Sequence, residues 1–303
     1  MPLQSCKTAI AASLVLAMTS VHADSVRGNG DLPGSSGGDA AIFEAKHAWA
    51  WTESRNGKPM TLIYLFDREP PAKDWTDAED RSTAITTWTL AAKAPSVRWE
   101  LDDKNAADGI MVCNAEGMCS SRGVSVINDI PSARADIKAT GGRISGKLLE
   151  GSGACGDAWC ETLAAYEIDL TLAAPPLIDR VSAKGSASAA DAPAARSALE
   201  NYWMAAGKAK HSKDLLPFFS SERAADAQRQ AERQGERGES MFKAMFVPAH
   251  SGKLVITDVK VLDQAAVASI KTRAGSGKDA WDLECRVLLR KQGDAWKIGN
   301  ENC

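Results

Sequence analysis

The side chains that could do chemistry are few, and their spacing excludes most familiar devices. After residue 23 six cysteines fall into three sequence-local pairs: Cys113 with Cys119, Cys155 with Cys160, and Cys285 with Cys303. Intervals of five, four and seventeen residues are not the short Cys-x-x-Cys clasps that hold zinc, and few histidines stand near them. No metal site is expected. An even cysteine count in an exported chain predicts disulfides. Neighbour pairing is preferred because short loops keep partners close during folding, and crossing Cys113 or Cys119 to the second pair is the alternative.

Nucleotide and hydrolase signatures fail on context. Gly151, Gly153 and Gly156 satisfy G-x-G-x-x-G, but that spacing serves a pyrophosphate only where a helix follows a strand, and here it lies in a cysteine-bearing loop. The stretch GSGK at 275–278 lacks the first glycine and the following hydroxyl of a phosphate loop and reads as a solvated turn. No H-E-x-x-H occurs after residue 23. No cofactor is expected. His47 shares a strand face with Trp49 and Trp51 and reads as a partly covered structural histidine.

The elements that must position these residues begin with an export signal. Lys7 precedes an uncharged, mostly apolar run over 8–21, and Val21-His22-Ala23 places small residues where a signal peptidase cuts, before the polar Asp24. Residues 1–23 are expected to leave as a signal peptide, with the periplasm as the destination. The run is too short to span a bilayer, and no later stretch reaches the roughly 20 apolar residues of a membrane helix. A net charge of −3 with scattered basic residues argues against nucleic acid as partner.

Composition divides the remainder. Residues 24–38 read as an unstructured lead and 180–194, small, polar and aperiodic, as a flexible linker. Between them, 39–179 reads as a mainly-β domain, a sandwich or partly open barrel, with strands at 42–52, 60–66, 97–101, 110–113, 123–127, 143–149 and 165–172. One helix is expected within 75–92, capped by Asp74. Trp159, in a loop closed by Cys155 and Cys160, is either a recognition tip or a cover for the sheet end, and the cover is preferred.

The second domain, 195–303, reads as α+β, with helices packed on one face of a curved antiparallel sheet. Ala195, Leu199, Tyr202, Trp203 and Ala206 form a helical stripe; Asp214 to Phe219 is a short segment; a polar helix runs to Gln234, and Met241, Phe242, Met245 and Phe246 repeat at helical spacing. Four strands follow, the last two joined at KQGD. A two-residue Gln292-Gly293 turn would send Cys303 to the face opposite Cys285, a conflict of strand parity that a bulge near Gly299 would repair.

The run LENYW at 199–203, KDLLPFF at 213–219, LVITDVKVLDQAAVASI at 254–270 and VLLRKQGDAWKI at 287–298 give this half an order that resembles the nuclear transport factor 2-like superfamily. The resemblance implies a cone of helices and a bent sheet around a pocket that takes an apolar ligand or a peptide. Pocket candidates are Tyr202, Trp203, Phe218, Phe219, Met241 and Met245, with His211 and Asp214 at most lining candidates, for which the role of solvated cap residues is preferred. The expectation is a binding or protein-interaction protein whose partner is an envelope protein or a small apolar ligand. The alternative is a hydrolase- or isomerase-type enzyme using acid-base residues of that pocket.

Overall fold

A computed structural model describes residues 24–32, 41–55, 57–116, 119–127, 130–153, 155, 158–188, 190–274 and 280–303. The expected signal peptide, Gly156 and the stretch 275–278 lie outside the described residues.

Strands β1 (Ser25–Leu32) and β2 (Ala41–Glu44) are followed by β3 (His47–Arg55), β4 (Lys58–Phe66), helix α1 (Arg81–Ala92), β5 (Ser96–Leu101), β6 (Ala107–Cys113) and β7 (Cys119–Gly123). A small ribbon of β8 (Val126–Ile127) and β9 (Ile130–Pro131) leads to β10 (Ala133–Thr140), β11 (Arg143–Ser152) and β12 (Glu161–Thr171). The strands β3 to β7 form one five-stranded antiparallel meander, and a second five-stranded sheet has the order β10-β11-β12-β1-β2. Inward residues of both sheets, including Phe43, Ile63, Trp99, Leu148 and Tyr166, join one apolar cluster. Both sheets are open, and no closed barrel occurs among the described residues. On β4 the alternate face is apolar too: Leu62, Tyr64 and Phe66 pack with Trp51, Trp75 and Ile85 beneath α1.

Three local expectations are corrected. The stretch 25–32, expected as unstructured lead, is β1, hydrogen-bonded between β12 and β2. Its glycines suggested a linker, yet a Cβ on Gly30 would stand 2.3 Å from the Tyr166 hydroxyl, so the small residue answers close packing. The expected strand at 42–52 is two strands in different sheets. The chain switches at Ala45 and Lys46, whose N–H groups donate to Gly28 O and Phe66 O at 3.0 and 2.9 Å. The helix begins at 81, and its cap is Asp80, accepting from Thr83 N at 3.0 Å, rather than Asp74.

The second half runs α2 (Leu177–Lys184), α3 (Asp191–Ala206), a 3-10 segment Ser212–Phe218, α4 (Ser221–Met241), a π-helical turn Phe242–Phe246, α5 (Val247–His250) and strands β13 (Val255–Leu262), β14 (Ala265–Ala274), β15 (Trp281–Gln292) and β16 (Ala295–Asn302) in sequential antiparallel order. The expected stripe of α3 is buried on one face of this sheet, against Ala266, Ala268, Val287 and Leu289. The other face is covered as well. Leu177, Ile178 and Val181 of α2 pack on Ala265, Val267 and Leu288, because the run AAVA presents apolar side chains to both sides. Helices therefore flank both faces, where one was expected. Within 180–194, the expected linker, α2 continues to Lys184 and Ser186 exchanges backbone hydrogen bonds with Val261 at 3.0 and 2.8 Å.

The cysteines stand in neighbour pairs at bonding distance, with Cα separations of 4.1, 4.9 and 4.1 Å for Cys113–Cys119, Cys155–Cys160 and Cys285–Cys303. This arrangement fits an exported chain. Among the described residues no helix is long and apolar enough to cross a membrane.

Candidate functional site

The site is set by one extra residue in β16. The hairpin turns at Gly293-Asp294, with Gln292 opposite Ala295 and Leu289 opposite Ile298, two residues away in register from the Gln292-Gly293 turn expected. Leu288 then pairs with Asn300, leaving Gly299 as the bulged residue. Beyond it every side chain changes face. Cys303 comes opposite Cys285, which resolves the parity conflict, and Glu301 comes opposite Val287, a residue of the core.

The Glu301 side chain is buried there among partners from three helices. Its carboxylate accepts from Tyr202 Oη of α3 at 3.1 Å and Arg223 Nη2 of α4 at 2.8 Å. Its other oxygen faces His250 Nε2 of α5 at 3.1 Å. His250 Nδ1 lies 2.9 Å from the Phe246 carbonyl, so that nitrogen donates. The imidazole stacks between Phe246 and Trp203, with ring centroids 4.0 and 4.3 Å away. Burial pushes the Glu301 carboxyl up, but the His250 bond and the charges of Arg223 and His250 outweigh it, and its pKa lies below the ordinary value. Burial and the Glu301 charge push the Tyr202 hydroxyl well up.

Above this floor opens a cavity of about 800 Å³. Leu215, Phe219, Ala227, Ala231, Phe242 and Phe246 give it an apolar wall, and Met241 and Met245 stand at it 49% and 65% exposed. The wall bends because Gly235 holds φ 53° and ψ −134° inside α4, a backbone region open essentially to glycine alone. The π-helical turn then stacks Phe242 on Phe246 with centroids 5.0 Å apart.

One rim comes from the first half of the chain, which sequence reasoning did not anticipate. Glu79, Asp80 and Thr83 line the cavity. Glu79 is wedged between the start of α4 and the bulge. Its carboxylate accepts from Ser220 Oγ, the cap of α4, and lies 3.7 Å from Arg290 Nε. Its backbone N–H donates to Glu222 Oε1 at 3.1 Å and its carbonyl accepts from Asn300 Nδ2 at 3.2 Å. A Cβ on Gly299 would stand 3.0 Å from Glu79 Cδ. Burial, with the nearby Glu222 charge adding, raises the Glu79 pKa from 4.5 to about 7, against the Ser220 bond and the Arg290 and Arg223 charges. Burial likewise raises Glu222. The neighbouring segment is pinned by Arg81, 3% exposed, whose guanidinium donates to the carbonyls of Trp75, Thr76, Ala174 and Pro175.

The sequence-derived candidates separate accordingly. Phe219, Met241 and Met245 line the cavity. Tyr202 and Trp203 are core, and Tyr202 reaches the site through Glu301; Phe218 packs beside Tyr202 at 6.2 Å. His211 and Asp214 stand outside it. Asp214 accepts from the N–H groups of Lys210 and His211 at 3.1 and 2.9 Å, which holds its carboxyl below the usual range. His211 lies 3.6 Å from Glu239 at the surface. Trp159 folds back, donating to Pro131 O at 2.8 Å beneath Arg134. Among the described residues no group of three or more His, Cys, Asp and Glu could hold a metal ion. His250, Arg223, Glu79 and Glu301 were missed, for each is brought in by tertiary packing and belongs to no local motif.

No protein-family model matches the chain, and no curated protein matches it. A solved structure described as an "Ntf2 like protein involved in plasmid conjugation" aligns over 86% of this chain and 76% of its own, at 6% identity and a TM-score of 0.27. At that score the fold description rests on the chain's own elements.

Proposed function

We propose that this chain is an exported binding protein, periplasmic after loss of residues 1–23, whose cavity takes a small, mainly apolar ligand. It works as two units: a β-sandwich within the first half, and an α+β cone of the nuclear transport factor 2-like kind that carries the cavity. The observation that supports this reading is the cavity itself. Its volume of about 800 Å³ falls in the range of small-molecule sites, which are mostly apolar with a few polar groups fixing orientation. The exposed Met241 and Met245 add flexible, polarizable contacts suited to such a surface. An envelope protein presenting one apolar side chain would engage the same mouth.

Native mass spectrometry of the mature protein purified from periplasm tests it, beside Ala227→Trp, which fills the cavity from its partly exposed wall. The expected result is a retained small mass on the parent protein and a bare variant of unchanged fold. Bare parent protein, together with no binding of any apolar probe, would refute the reading. Acid-base catalysis is the second reading, and one observation favours it: Glu79, raised to about 7, faces the cavity with the protonation balance of a general acid-base group. Turnover abolished by Glu79→Gln would establish it, and failure to turn over envelope substrates across pH 5 to 8 would remove it.

A further inference from the structure

We propose that the ligand of this cavity is a cationic amphiphile, its apolar body along the Met241 end of α4 and its positive head against Glu222 and Asp80. The proposal rests on the cavity being a ligand site, as argued above. The polarity is graded along one helix. Glu222 and Asp226 line the cavity near the start of α4, Ala227 and Ala231 follow at helical spacing, and Met241 and Phe242 close the far end.

The charge at the polar end is one-sided. Five carboxylates line the cavity there, those of Glu79, Asp80, Glu222, Asp226 and Glu301, against the single lining cation Arg223, which already binds Glu301 and Gly299 O, while Glu239 stands toward the Met241 end and accepts from Ser212. Asp226 has Arg229 beside it and Glu79 has Arg290 at 3.7 Å. Among the described residues Asp80 and Glu222 have no lysine or arginine partner within 4.0 Å. Asp80 spends its oxygens on the cap of α1 and Glu222 receives one backbone N–H, so both keep acceptor positions free. An ammonium head there meets two carboxylates that no lysine or arginine pairs within 4.0 Å among the described residues. An anionic head would meet repulsion from the same groups. The cavity's size favours a small amphiphile over a protein segment, since stable protein interfaces bury about 800 Å² on each partner.

Isothermal titration of the oxidised, mature protein with decyltrimethylammonium, decyl maltoside and decyl sulfate, each below its micelle concentration, tests the proposal. The expected order is the ammonium at least about tenfold tighter than the other two, weakening with added salt. Glu222→Gln should narrow that gap severalfold, weakening the ammonium more than the maltoside. Equal affinity for all three, lost in Ala227→Trp, would keep the cavity as an apolar site and overturn the cationic preference. A preference for sulfate would overturn it equally. Binding of none would remove the ligand-site reading and the inference with it.

Discussion

Glu79→Gln isolates one titration at the junction of the two halves while keeping the shape and hydrogen-bonding reach of the side chain. In the folded protein burial raises the Glu79 pKa from 4.5 to about 7. Between those values the folded carboxyl keeps a proton that the unfolded chain has released, so unfolding free energy falls as pH rises. The stabilisation is fully present below pH 4.5 and is lost as pH passes through about 7. The difference corresponds to about 3 kcal/mol. Glutamine is neutral throughout and lacks this loss. The variant should lie within about 1 kcal/mol of the parent near pH 5 and exceed its stability by about 3 kcal/mol at pH 8. Urea unfolding of the oxidised protein, followed by tryptophan fluorescence at four pH values, measures it. Glu222, also raised by burial, contributes a slope of the same sign in both proteins. Parallel pH curves for parent and variant, or a variant less stable at pH 8, would refute the account of Glu79 as a buried carboxyl forced to ionise.

Three further outcomes follow from the same geometry. Glu301→Ala leaves the Arg223 guanidinium and the Tyr202 hydroxyl without their carboxylate and should cost about 3–5 kcal/mol in chemical unfolding. Because the Glu301 pKa is lowered from 4.5, its stabilisation is present above that value and lost as pH falls through the folded pKa, so the parent alone should show that acid-side loss. Cys303→Ser opens the Cys285–Cys303 loop, 18 residues in separation, and should cost about 3 kcal/mol, with faster amide exchange confined to the end of β16. Gly235→Ala must hold a side chain at φ 53° and ψ −134°, costing about 1–3 kcal/mol, or straighten α4; thermal unfolding and probe affinity should both fall.

What the sequence made legible was whatever is written in short-range periodicity. The stripe of α3, the kink of the polar helix after Gln234, and the neighbour disulfides all follow from residues a few positions apart, although α4 resumes beyond Gly235 to Met241. The errors arose where a residue's reason is another part of the chain. Gly30 reads as linker until Tyr166 is placed over it, and 42–52 reads as one strand until its two ends are drawn to different sheets. The α2 helix hid at the start of the expected linker because its three apolar side chains have meaning only against the outer face of β14 and β15.

The candidate site shows why its own residues stayed hidden. Strand parity alone places Glu301 and Cys303 on a face that depends on whether a residue is skipped before them. The parity conflict of the disulfide was readable and pointed to Gly299. Followed one step further, the same bulge turns Glu301 inward, since the residue two before Cys303 must share its face. A buried carboxylate at the end of the last strand was therefore implied by the cysteine spacing. Its partners were not, because His250, Tyr202 and Arg223 arrive on three separate helices. The disulfide that fastens the C-terminus thus also fixes the register that supplies the cavity's floor, which ties stability and binding to one bulged glycine. Reduction should loosen both together, whereas an unrelated site elsewhere on the molecule would keep its affinity when Cys285 and Cys303 are reduced.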